Sequence, residues 1–411
     1  MPEDNFSQED INRLINSAWS GEPGIDVSSL RPMFEERLAE LGISSNQVET
    51  NLEIGYRTLN GLLDGNLQRF DLLSLLKIGH FLGIKENGIV EMYIRFIAER
   101  HKEDIEKAKR RTFIFNNFDL PALKNSGVIS SIQNFDTIEQ QLNSIFGLKS
   151  ITDYNTEDTG AALSSSNIVP KNDKTRKYFK NKARLIFQLI NNPHRYDKQG
   201  LIDYFPKIRW HSTDKDKGLV NVMKSLFELG ITVIFQPKMT SLQMRGATFA
   251  VNGKPCIVLT NYRESYPTLW FAFLHELFHV LFDWEEISKK KYHLSDEEND
   301  LHIIKQKEEE ANDFAREYLF PSSKLEIISK RIQQKVIVRE YALENHVDPS
   351  IVYANYAFKN SDDENNYWAE YHTLIHPPMD SLIKKLSDDL TAKSTAADFA
   401  TYYRKNIFNL E

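Results

Sequence analysis

Trp270-Phe271-Ala272-Phe273-Leu274-His275-Glu276-Leu277-Phe278-His279-Val280-Leu281-Phe282 is an apolar run in which His275, Glu276 and His279 are the only polar side chains. Residues four apart lie on one side of an α-helix, because about 3.6 residues per turn bring the second back over the first. The two imidazoles can then share one tetrahedral Zn²⁺. Glu276 starts one residue round the helix from His275, where it reaches a water beside the metal rather than the metal itself. A helix this apolar on nearly every side belongs in the interior. Two histidines and a glutamate buried there need partners, and a metal supplies them. The spacing therefore predicts a zinc-dependent hydrolase that cuts peptide bonds.

A catalytic zinc takes three protein ligands and keeps a fourth position open, so a third ligand is expected downstream. A Gly and a third His at fixed spacing after His279 are absent, since Phe282 and Glu285 stand there. Asp283, Glu285, Glu286, His293, His302 and the run Glu308-Glu309-Glu310 remain. The stretch from Glu308 to Leu319 reads as a helix ended by Phe320-Pro321. Its apolar face is Ala311, Phe314, Ala315, Tyr318 and Leu319. At about 100° per residue, Glu308 lies close to the centre of that face, whereas Glu309 and Glu310 turn toward solvent. A solvated acidic helix start explains the latter two. Glu308 is the expected third ligand, and Asn312, one turn on, is placed to hydrogen-bond a ligand.

Glu308-x-Glu310-Ala311-Asn312-x-Phe314-Ala315-x-x-x-Leu319-x-Pro321, downstream of His275-Glu-x-x-His279, resembles the ImmA/IrrE metallo-endopeptidases. The resemblance continues upstream through Gly230–Val233, Gly246–Phe249 and Pro255–Asn261, covering roughly residues 200–360. It implies a cytoplasmic zinc peptidase whose substrates are repressor proteins, with His275, His279 and Glu308 as ligands and Glu276 as general base.

Around the site, Ile231–Phe235, Gly246–Val251 and Cys256–Thr260 read as strands. Asn252-Gly253 between the last two is a hairpin signal, because a type I′ turn needs positive φ at both positions. The expected fold class is α+β and mostly helical: a zincin-like domain with a small antiparallel sheet and the metal helix, plus an N-terminal helical bundle. An exposed sheet edge would take up an extended peptide by strand addition. Tyr262, His293, His302, Tyr371 and His372 are open candidates for stabilising the oxyanion.

Phe34–Leu41, Ser45–Leu52, Tyr56–Leu63 and Asp71–Leu82 read as four short helices with a core of Val48, Leu52, Ile54, Leu59, Leu63, Leu72, Leu75, Leu76 and Phe81. Gly65 serves as the C-terminal cap of the third. The pattern resembles a Cro/C1-type (XRE) helix-turn-helix, which implies that Tyr56, Arg57 and Asn60 face the major groove of double-stranded DNA. Glu49 and Glu53 stand where that family has a small Ala and a turn Gly. The first hundred residues hold 9 Lys and Arg against 16 Asp and Glu, a poor footprint for phosphate neutralisation.

The chain of 411 residues, with formal net charge −7, has the composition of a globular protein with two or three domains. Met1–Asp10 is polar and acidic, so no signal peptide is expected, and no apolar run is long enough for a membrane span. A single cysteine, Cys256, fits a buried apolar position in a reducing cytoplasm. The expected division is a helix-turn-helix-like domain at 1–100 and a helical connector at 101–200 with a flexible segment near 155–174. The peptidase domain at 201–360 and a helical tail at 361–411 complete it. Glu91–Arg111 reads as one charged amphipathic helix, and Val338–Asn345 with Pro349–Phe358 as a helix pair capped by Asp348.

The leading expectation is a zinc endopeptidase that cleaves a repressor or antitoxin-like protein in a transcriptional, stress or phage-response circuit. A second is a DNA-binding regulator or antitoxin whose peptidase-like domain is a sensor or docking module. A third is self-cleavage within Asn155–Lys174.

Overall fold

The computed structural model describes residues 30–65, 71–154, 162–165, 174–239, 242, 244–289, 298–388 and 390–410. They fall into two compact units, divided at Arg110–Arg111.

In the first unit, glycines and capping residues cut the apolar pattern into helices α1 (Leu30–Leu41), α2 (Ser45–Leu52), α3 (Tyr56–Leu63), α4 (Leu72–Phe81) and α5 (Glu86–Arg100). Ser44 and Gln47 close a capping box on α2, and Asp71 accepts from the Leu73 amide at the start of α4. Leu30, Phe34, Val48, Ile54, Leu59, Leu62, Leu75, Ile78, Ile89 and Tyr93 form one core. Leu72 is 52% exposed, unlike the core position expected of it, because it opens α4 directly after the cap. The charged segment expected as one helix is two. His101 (φ −106, ψ 26) leaves helical geometry between α5 and α6 (Lys102–Asn117).

The second unit continues with α7 (Leu120–Asn125), α8 (Phe135–Phe146), β1 (Ala162–Ser165), α9 (Lys174–Ile190), α10 (Lys198–Ile208) and α11 (Gly218–Glu228). Strands β2 (Thr232–Phe235), β3 (Met244–Val251) and β4 (Lys254–Leu259) follow. Then come α12 (Tyr266–Phe282), α13 (Trp284–Ser288), α14 (Glu298–Leu319), α15 (Ser322–Ser329), α16 (Lys335–Glu344) and α17 (Pro349–Asn360). The C-terminal helices are α18 (Tyr367–Glu370), α19 (His372–Ile375), α20 (Asp380–Ser387) and α21 (Ala396–Tyr402). Asp348 caps α17 through the Ser350 amide at 2.9 Å. One apolar core runs from Ile114 through Ile186, Ile257, Phe273 and Ile351 to Phe399 and Phe408. Connector, metal-helix segment and tail thus share a single interior.

The sheet is mixed, not antiparallel as expected, with strand order β1-β3-β4-β2. Asn252 (φ 52) and Gly253 (φ 71) make the tight turn that pairs β3 and β4 antiparallel. β2 lies parallel to β4, Thr232 opposite Cys256 and Phe235 opposite Leu259. The segment 236–243 is long enough to carry the chain across two strand spacings of about 4.8 Å each, which leaves room for β4 between β2 and β3. β1, inside the segment near 155–174 expected to be flexible, adds antiparallel to the far side of β3, with Ser164 opposite Gly246. Helix α12 packs on β3 and β4 and against α14 and α17.

Candidate metal centre

Helix α12 is buried along nearly its whole length because its sequence offers apolar side chains on every face. Ser265 caps it through the Thr268 amide, and Pro267 sits in its first turn, where the missing N–H costs nothing. The carboxyl end of α14 is held alongside by Ala311 and Ala315, both fully buried and small enough for close helix approach.

This packing brings His275, His279 and Glu308 together. His275 Nε2 and His279 Nε2 are 3.2 Å apart, and the Glu308 carboxylate oxygens lie 3.2 Å from the first and 3.4 Å from the second. In a tetrahedron with metal–ligand bonds of about 2.05 Å, ligand atoms are separated by about 3.3 Å. The donor set fits a divalent cation. The other ring nitrogens are engaged: His279 Nδ1 donates to Asp283 Oδ2 at 2.7 Å, and His275 Nδ1 donates to Asn312 Oδ1 at 3.1 Å. Each bond fixes the tautomer that leaves Nε2 facing the cluster. Lys307 holds Asp283 from its second oxygen at 3.2 Å and Glu286 at 2.6 Å.

The electrostatics point the same way. Burial opposes charge on His279, yet its hydrogen bonds to Asp283 and Glu308 outweigh burial and raise its pKa to about 10. Burial would raise the Glu308 pKa, but the bonds from His275 and His279 draw it down to about 2.

Glu276 is fully buried on the same helix. Thr248 of β3 donates to its Oε2 at 2.6 Å, while Oε1 has no hydrogen-bond partner among the described residues. Burial pushes its pKa up, against the opposing influence of the two histidines and Thr248. Gly246 makes room for this carboxylate, since a Cβ there would lie 2.9 Å from Glu276 Cγ and 3.0 Å from Oε1. Thr248, Gly246 and Asp283 were not assigned these roles from sequence. Asp283 alone carried a local signal, one helical turn after His279.

Residues 228–343 match the family described as Peptidase_M78, IrrE N-terminal-like domain. The matched segment contains all three cluster residues and Glu276, and it supports the resemblance to the ImmA/IrrE peptidases. The M78-like segment therefore points to a metallopeptidase-type function. No curated protein and no solved structure gives a significant match to the chain.

The other expected residues lie elsewhere or outside the described residues. Tyr56 and Arg57 are exposed in the first turn of α3. Asn60 is tied down: its amide nitrogen donates to the Tyr56 carbonyl, and its oxygen accepts from Arg31, which also pairs with Asp64. Tyr371 is buried among Tyr353, Tyr356 and Tyr367, and His372 stacks on His376 at the surface. His293 and the side chains of Tyr262 and His302 fall outside the described residues. No helix among the described residues is long and apolar enough to cross a membrane.

Proposed function

We propose that the protein is a zinc-dependent, cytoplasmic endopeptidase that cleaves a repressor or antitoxin-like protein in a transcriptional, stress or phage-response circuit. The observation that carries this reading is the convergence of two imidazole nitrogens and one carboxylate at ligand spacing, with Glu276 Oε1, unpartnered among the described residues, on the same helix as the imidazoles. The M78 match supports the peptidase part. The helix-turn-helix-like α2–α3 pair supports the regulatory setting.

Two imidazoles and a carboxylate are the donors of catalytic zinc, which supplies Lewis-acid polarisation of a peptide carbonyl. The chain's own part follows from the geometry. Glu276 Oε1 takes the proton of the attacking water and passes it to the leaving amine. Burial makes this carboxylate a stronger base than a solvated one. Thr248 holds Oε2, so the proton is handled at Oε1. Strand addition of substrate to β3 requires β1 to leave, because β1 already pairs with that edge.

The purified protein is expected to hold about one zinc per chain. His275→Ala and Glu308→Ala should each lose it, measured by elemental analysis after dialysis; full retention in both overturns the site. Glu276→Gln should keep the metal and lose cleavage of a substrate protein by roughly 10²–10⁴-fold.

A further inference from the structure

One edge of β3 serves Glu276 and β1 at once. Thr248 donates its side-chain hydroxyl to Glu276, and Gly246 leaves the space that the carboxylate fills. The Thr260 amide donates to the Arg245 carbonyl at 3.0 Å, so Arg245, Ala247 and Phe249 turn their main-chain groups to β4. Alternation along the ladder turns those of Gly246 and Thr248 the other way, to Ser164 and Ala162 of β1. In hydrogen-bonded pairs of this kind the Cα atoms lie about 5.5 Å apart. β1 thus runs antiparallel along the two residues that surround the Glu276 carboxylate. Its Cα atoms come within 8 Å of those of α12, the helix that carries Glu276.

An extended peptide added to this edge would meet Gly246 and Thr248 through the same main-chain groups. β1 is a weak competitor for them. It has four residues, fewer than the about 5–6 of an ordinary strand. Its register steps between Ser164 and Ser165, which stand opposite Gly246 and Met244, so β1 skips Arg245. Such a step interrupts the ladder. Covering an edge also guards a sheet against aggregation, but a cover with that purpose alone need not come away.

We propose that β1 is an autoinhibitory strand. It occupies the edge of β3 beside Glu276, and a protein substrate gains the site by displacing it with an extended segment of its own. The word substrate rests on the peptidase reading above; the exchange of strands rests on the pairing itself. The substrate class that follows is a segment free to extend along the edge that β1 now holds, which excludes sequences locked inside a folded domain.

Ala162→Pro with Ser164→Pro removes both β1 amides that face β3 and should free the edge. The test compares the full-length Glu276→Gln chain with and without this pair, using a labelled peptide with the sequence of residues 159–168. Fluorescence anisotropy should show the peptide binding the proline variant roughly tenfold or more tighter, since an open state populated at about 10% or less lowers apparent affinity by that fraction. Hydrogen exchange of the unsubstituted chain gives a second readout that needs no variant. The Gly246 and Thr248 amides, which face β1, should be protected roughly tenfold or more weakly than those of Ala247 and Phe249, which face β4. Equal peptide affinity for the two chains, no binding to the proline variant, or equal protection of the two sets of amides overturns the proposal. A cut within Ala162–Ser165 in the zinc-loaded unsubstituted chain, seen by mass spectrometry, makes β1 a substrate and overturns its inhibitory role. Strand exchange as expected in a chain that binds no zinc removes the peptidase reading and leaves the exchange standing.

Discussion

Asp283 shows how a single side chain sets the properties of its neighbours. Through a 2.7 Å bond it orients the His279 ring, and Lys307 in turn fixes Asp283. Asp283→Asn preserves the shape and removes the charge that polarises the imidazole. Metal affinity is expected to fall roughly 10–100-fold, the usual cost of losing such a partner, as read by competition with a chromogenic chelator. Unchanged affinity would mean that His279 is positioned by packing alone. His275, Glu276 and His279 were legible in sequence because they sit within one helical repeat, and Glu308 because its helix has a definable apolar face. Thr248 was not legible: it reaches Glu276 across 28 residues, and no local pattern marks that contact.

At the scale of elements, the β3–β4 hairpin is the clearest instance of local chemistry deciding structure. Asn252 and Gly253 both take positive φ, as the turn demands. A Cβ at Gly253 would meet no atom within 4 Å, so Gly253→Ala isolates the conformational cost. Stability should fall by about 1 kcal/mol, measured by urea denaturation, with zinc content unchanged. A loss much larger than this would mean that the turn tolerates no rearrangement. The position of β4 between β2 and β3 was not legible in the same way. Strand periodicity reports which face is buried, but not which neighbour a strand chooses. The same limit applies to β1, whose composition reads as a linker and whose backbone pairs with β3.

For the whole molecule, the shared interior of the second unit encloses a charge that sequence alone did not reveal. Lys182 of α9 is 5% exposed, its ammonium 4.7 Å from the Phe399 ring and 3.4 Å from the Ala392 carbonyl. Burial lowers its pKa to about 8, against the favourable pull of Asp398. The unfolded chain has a lysine pKa of about 10.4, so it binds this proton more tightly than the folded one. Stability is therefore reduced below pH 8 and recovers as pH rises from about 8 to about 10.4. Lys182→Met should raise the melting temperature at pH 7, with a gain of up to about 3 kcal/mol from the relieved desolvation. The gain should shrink at pH 9.5 in the same thermal melt. A gain equal at both pH values would show that the ammonium carries no burial cost.

The amino-acid sequence by itself determined the elements and the side chains they carry: a buried helix bearing two histidines and a glutamate, a second helix offering one carboxylate, and a hairpin beside them. These are properties of spacing, and spacing within a helix or a two-residue turn is set by backbone geometry alone. Only the tertiary structure decided what stands around that chemistry. It set Thr248 and Gly246 against Glu276, and Asp283 and Asn312 behind the imidazoles. Those contacts join residues far apart in the chain, and their existence depends on how whole faces pack, which no local pattern encodes.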